Sequence, residues 1–156
     1  MTVSVFVENR AGRKGVPLRS SFQHWIEAIP QLRKRRAAEV AIVIVDAEEG
    51  RDFNLRFRHR DYATNVLSFP YERLPGDRSG LLGDLVICAP VVAREALEQG
   101  KRARDHYAHM TLHGVLHLLG HDHENDADAQ RMEALETRIL ASLGVPDPYE
   151  ARNECE

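Results

Sequence analysis

Six of the eight histidines in this chain fall between His106 and His123, a concentration that scattered core positions would not produce. Within it, His113, His117 and His123 stand as His-x3-His-x5-His, with Gly120 between the last two. On an α-helix, residues four apart differ by about 40° in azimuth and about 6 Å along the axis. His113 and His117 therefore project from one face, close enough to meet one small cation. Gly120 can take the left-handed conformation that ends a helix, and the chain can then bring His123 back to the same point. Three neutral nitrogens converging on one centre describe a catalytic zinc site that keeps a position for water. One Zn2+ per chain is the expected cofactor.

The spacing also fits the longer zincin pattern His-x3-His-x2-Gly-x2-His. Peptidases of that type carry a glutamate directly after the first histidine as general base. Here that position is Gly114, which can neither take a proton nor orient a water. Peptide hydrolysis would need a base from elsewhere, Asp84 or Glu124 for example. His109 lies one turn before His113 on the same stripe but about 12 Å along the axis from His117. That is too far for a shared metal, so an auxiliary or packing role is expected. Asp122 is either a carboxylate that fixes an imidazole tautomer or an ordinary turn residue. His121 reads as a spare in the turn. A purely structural zinc would instead be closed by a fourth protein ligand, with His121 or Cys155 as candidates. Met132 is spaced with Leu135 and Ile139 and reads as helix core.

The elements that must position these residues follow from periodicity. Thr2 to Glu8 alternates as a short strand, and 9–17 reads as loop. Arg19 to Leu32 has Phe22, Trp25, Ile26 and Ile29 at helical spacing, with Ser20 or Ser21 as N-cap and Pro30 disturbing the end. Glu39 to Asp46 is β-branched and continuously apolar, as suits a central strand covered on both faces. A helix from Ala47 gives way to loop by Arg60. Val66 to Pro70 is a third strand, with Pro70 at an edge or end. After a Pro- and Gly-containing loop, Leu81 to Ala89 is a fourth. Pro90 opens a helix through Leu97, Arg104 to Leu119 is the helix with the histidines, and a last helix runs to Leu143, capped by Gly144. The tail beyond Pro146 is expected to be loosely held. The order β-α-β-α-β-β-α-α-α predicts one α+β domain: a small mixed four-stranded sheet packed with about five helices. The third and fourth strands are close enough in sequence to pair as an antiparallel hairpin.

Composition sets the outer limits. At 156 residues, 43% apolar and 29% charged, the chain is ordinary for a globular domain with a single core. No apolar run approaches the roughly 20 residues that cross a bilayer, and Met1 to Glu8 has no secretory leader. With only Cys88 and Cys155, no disulfide framework is expected, and a reducing cytoplasm is the simplest setting. Residues 1–60 hold 12 Lys+Arg against 7 Asp+Glu, a net of +5, while the remainder is net −8. A basic first part permits an anionic partner such as RNA, although charge alone equally describes solvated faces.

Taken together, three blocks resemble the YbeY family of bacterial metal-dependent endoribonucleases and rRNA maturation factors. The segment His113-Gly-x-Leu-His117-Leu-x-Gly120-x-Asp122-His123 is similar to its signature. Asn54-x3-Arg58-x2-Asp61-x2-Thr64-x-Val66-Leu67-Ser68-Phe69-Pro70 resembles a second block, and Leu82-Gly83-Asp84-Leu85-Val86-Ile87-Cys88 a third. His109 and Met132-Glu133-x2-Glu136 extend the resemblance, so that it covers most of 54–143. It departs at His121, where many members have tyrosine. The resemblance implies a single-strand-specific endoribonuclease that matures the 3′ end of small-subunit rRNA and supports ribosome quality control. Its partners would be rRNA precursors, ribosomal particles or small-subunit proteins, with no membrane. It implies that His113, His117 and His123 are zinc ligands, that Arg58 and His113 are catalytic, and that Arg58 and Ser68 bind substrate. A guanidinium suits the charge that develops on a cleaved phosphate. The competing expectations are a zincin-like metallohydrolase and a non-catalytic ribosome assembly factor with structural zinc.

Overall fold

Nine residues, Ala37–Val45, form the most strongly β-branched run of the chain, and they become an interior strand of the only sheet among the described residues. The computed structural model describes residues 2–121 and 125–149. Its strands are β1 (Thr2–Asn9), β2 (Ala37–Val45), β3 (Val66–Pro70) and β4 (Leu81–Cys88). Its helices are α1 (Arg19–Glu27), α2 (Ala47–Arg58), α3 (Ala89–Glu98), α4 (Ala103–Leu118) and α5 (Asp126–Ser142). The strand order is β1-β2-β4-β3. β1 and β4 run parallel to β2, and β3 runs antiparallel to β4 as the expected hairpin. This is the mixed four-stranded α+β architecture predicted by periodicity.

One face of the sheet carries Val40, Ile42, Ile44, Leu85 and Ile87 into the main core under α1, α4 and α5. The other carries Val86, Leu67 and Val45 against α2 in a smaller cluster. Helix α4 is buried on most of its circumference, with Leu112, Val115 and Leu116 fully inaccessible. Burying each such side chain contributes about 1.5–3 kcal/mol, so the helix that holds the histidines is anchored by its apolar residues. The N-caps of α2 and α5 are side-chain oxygens of Asp46 and Asn125, which accept the backbone N–H of Glu49 and Asp128; each such cap is worth about 1 kcal/mol.

Three expectations need correction. Helix α1 stops at Glu27, and Pro30 opens a separate 3-10 turn, Pro30–Lys34; a proline cannot donate to the preceding turn, so the chain restarts there. Its N-cap is Leu18, without a side-chain hydrogen bond, and neither Ser20 nor Ser21 serves. The sheet face bearing Val43 is covered only at the α2 end. Phe6 on β1, paired with Ala41 on that face, is 56% exposed, so β2 is fully covered on one face alone. Among the described residues no helix is long and apolar enough to cross a membrane.

Candidate metal centre

Helix α4 sets His106, His109, His113 and His117 in a row. The rings of His113 and His117 lie 4.7 Å apart between centroids, nearly perpendicular. Their Nε2 atoms are 3.2 Å apart. Two nitrogens bound at about 2.0–2.1 Å in a tetrahedral site would be about 3.3 Å apart. The pair therefore has the spacing of two corners of such a site.

The orientation of His113 is set from α5. Its Nδ1 lies 2.7 Å from Oε1 of Glu136, a carboxylate with no solvent exposure. Tyr149 donates its hydroxyl to Oε2 of the same group at 2.7 Å. Nε2 of His109 is 3.4 Å from Oε1 and 3.2 Å from the Tyr149 oxygen. Burial by itself would raise the pKa of Glu136. The hydrogen bonds from His109 and His113 outweigh it and hold the carboxyl down to about 2. For His109, burial pushes the pKa down against the pull of Glu136. An ionised carboxylate can only accept, so His113 carries its proton on Nδ1 and turns the Nε2 lone pair toward His117. This is the carboxylate–histidine arrangement that orients imidazole ligands.

At the level of sequence Glu136 is only part of a motif. A signal was present. Met132, Glu136, Ile139 and Leu140 are the buried residues of α5 and lie at i, i+4, i+7 and i+8, the inward stripe of a helix. A carboxylate in that stripe must be paired. Met132 is itself core, 2% exposed.

At Gly114 the helix meets the sheet. A Cβ built there would lie 2.7 Å from one Leu85 methyl and 3.3 Å from Oγ of Ser68. Ser68 donates that hydroxyl to the Gly114 carbonyl at 3.2 Å, and its own carbonyl accepts from Arg58 Nη2 at 3.1 Å. The Arg58 guanidinium also lies 5.7 Å from the Phe69 ring centre. Its holding contacts are thus a neutral carbonyl and a ring. Arg58, Asn65, Ser68, Pro70, His113 and His117 line one open pocket of about 540 Å³. The histidine pair and the arginine, 55 residues apart in sequence for His113, open onto the same space.

Other expected residues lie elsewhere. Asp84 is next to Leu85 on β4, and successive strand residues point to opposite faces. Leu85 packs against α4 at Gly114, whereas Asp84 lines a separate hollow with Phe6 and Glu39. It cannot serve as the missing base. Gly120 has φ +98°, and the N–H of His121 returns to the Leu116 carbonyl at 3.0 Å, the left-handed helix end anticipated. Asp122, His123, Glu124 and Cys155 lie outside the described residues. Among the described residues no group of three or more His, Cys, Asp or Glu side chains is arranged to hold a metal.

Relatives fit this picture. A curated endoribonuclease YbeY from Stenotrophomonas maltophilia is 58% identical over 141 residues, 88% of this chain and 87% of that one. One from Nitrosococcus oceani is 49% identical over 154 residues, 97% of this chain and 99% of that one. The solution structure of a Thermotoga maritima protein, 19% identical, aligns over 89% of this chain and 91% of its own with a TM-score of 0.57, which shows a shared fold. The profile of the family described as endoribonuclease YbeY matches residues 6–144, and the chain belongs to the YbeY family of endoribonucleases.

Proposed function

We propose that this chain, folded as one domain, is a zinc-dependent endoribonuclease that cuts single-stranded RNA and matures the 3′ end of small-subunit rRNA on ribosomal particles in the cytoplasm. The observation that carries the reading is the His113–His117 nitrogen pair, 3.2 Å apart, opening onto one pocket with Arg58. His113, His117 and His123 would hold the zinc. When bound, it supplies a Lewis acid for a phosphoryl oxygen and lowers the pKa of a coordinated water. Arg58 keeps its charge at any working pH and grips phosphate oxygens through its fork of N–H groups. Ser68 holds Arg58 through its carbonyl and α4 through its hydroxyl, so its part in substrate binding is to fix the pocket wall. Glu136, supported by Tyr149 and His109, keeps His113 in the tautomer that can bind metal. Asp122 is a candidate for the same service to another imidazole.

The direct test is cleavage of an unstructured RNA, the same RNA in a duplex, and a peptide library, each with and without chelator. Chelator-sensitive cutting of the single strand alone supports the reading, while cutting of peptides alone favours the metallohydrolase alternative. A metal held by four protein ligands would favour the assembly factor.

Two further outcomes follow from the site. Glu136→Gln keeps shape and removes charge, and it should weaken zinc binding about 10- to 100-fold in a chelator competition while the helices remain folded. With no carboxylate at 114 to activate a water, the RNA's own 2′-OH is proposed as the nucleophile. Products should then end in a 2′,3′-cyclic phosphate with a 5′-OH on the partner fragment. Products bearing a 5′-phosphate would instead identify water as the nucleophile.

A further inference from the structure

Phe57 occupies the last turn of α2 with 48% of its surface exposed, although a phenylalanine gains most by burial. It is not isolated. Its ring stacks on Phe53 at 6.1 Å and meets Phe69 of β3 edge-on at 5.2 Å. The ring is therefore braced on two sides in a residue that is about half exposed. Residues 53–60 contain Arg56, Arg58 and Arg60 and no acidic residue, and all three arginines are exposed. Basic side chains at a helix C-terminus complement the macrodipole, which accounts for the charge but leaves the exposed ring unexplained. Position links the ring to the site. Arg58, next in sequence, lines the pocket of His113 and His117. Phe69, which braces Phe57, sits between Ser68 and Pro70, both of which line that pocket. Strand alternation directs the Phe69 side chain to the face opposite Ser68, so the edge strand β3 lies between the Phe57 ring and the pocket.

An exposed aromatic ring on a cationic segment, one strand away from the pocket of the histidines, has the two elements that hold unpaired nucleic acid: a stacking face for a base and charge for the backbone. We propose that Phe57, with Arg56, Arg58 and Arg60 around it, is the platform on which a base next to the scissile phosphate stacks. This rests on the endoribonuclease reading. It gives that activity a structural reason for preferring single strands, because a base within a duplex has no free face to offer.

The experiment measures steady-state cleavage of an unstructured oligoribonucleotide by the intact zinc-loaded protein, together with anisotropy of the oligomer's 2′-O-methyl analogue. Stacking is worth about 1–3 kcal/mol per base, or roughly 5- to 150-fold. Phe57→Ala should raise Kd and KM by that factor and leave kcat within about twofold. Phe57→Trp should bind at least as well as the wild type. Phe57→Leu, which keeps apolar bulk without a ring face, should lose as much as alanine. The salt dependence of Kd should be unchanged in Phe57→Ala and shallower by about 0.7 in slope for Arg56→Ala. Leu97→Ala, an exposed leucine on α3, is the neutral control, and thermal melting checks that each variant folds. Wild-type affinity in both Phe57→Ala and Phe57→Leu, or a loss confined to alanine, overturns the platform alone. A wild-type protein that neither binds nor cuts the single strand overturns the endoribonuclease reading and the platform with it.

Discussion

His113→Ala is expected to abolish RNA cleavage and zinc binding together, whereas Arg58→Ala is expected to cripple cleavage and leave the zinc in place. The contrast follows from what each side chain touches. His113 presents Nε2 3.2 Å from that of His117 and is oriented by Glu136; its loss removes a proposed ligand and one of the hydrogen-bond partners of a buried carboxylate. Losing a hydrogen bond to a charged group costs about 1.5–3 kcal/mol, so the variant should also melt earlier. Among the described residues, Arg58 is held by the Ser68 carbonyl and the Phe69 ring. Its removal should barely affect stability, and the loss of a cation placed for developing charge should lower kcat about 10²- to 10³-fold. Arg58→Lys should restore little of it, because an ammonium lacks the planar fork. Metal content by elemental analysis, melting curves and single-turnover cleavage separate these effects. Wild-type cleavage by both variants would show that the site has been assigned to the wrong residues.

The second large effect is expected at Gly114. Gly114→Glu writes the complete peptidase motif into the sequence, yet it should yield no peptidase and a protein destabilised by roughly 3 kcal/mol or more. Even the first added carbon lies 2.7 Å from a Leu85 methyl, and Leu85 has no exposed surface into which to retreat. Overpacking of a core costs about 1–3 kcal/mol, and an unpaired carboxylate driven into that contact adds its desolvation. Gly114→Ala isolates the first component. Its overpacking is partly offset by the roughly 1 kcal/mol that alanine gains over glycine in a helix. Denaturant midpoints of the two variants measure both contributions. Wild-type stability in Gly114→Glu would mean that α4 and β4 are not packed as described.

The same residue shows the limit of reading by motif. Sequence explains why Gly114 cannot act as a base. Only the packing of α4 on β4 explains why no larger residue fits: the helix backbone approaches the sheet so closely that Ser68 reaches the Gly114 carbonyl. Asp84 illustrates a second limit. Its chemistry qualified it as a base, and strand alternation directs it to the opposite face from the histidines.

Much was determined locally, and so was legible in the sequence. The strands and helices follow from apolar spacing, the hairpin of β3 and β4 from a short connection, the helix end at Gly120 from its missing Cβ, and the shared face of His113 and His117 from the 3.6-residue turn. The end of α1 was misjudged because several apolar residues continue past the point where Pro30 breaks the hydrogen-bonding. Tertiary structure alone decided which distant groups meet. Glu136 reaches His113 across 23 residues, and Arg58 comes to the same pocket from a different helix. The apolar stripe of α5 marks Glu136 as inward-facing but does not name its partner, and nothing in the local pattern distinguishes an arginine in a surface ion pair from one held over an edge strand. Those distinctions are made by long-range packing, where the burial of α4 and α5 against the sheet brings the partners within hydrogen-bonding distance.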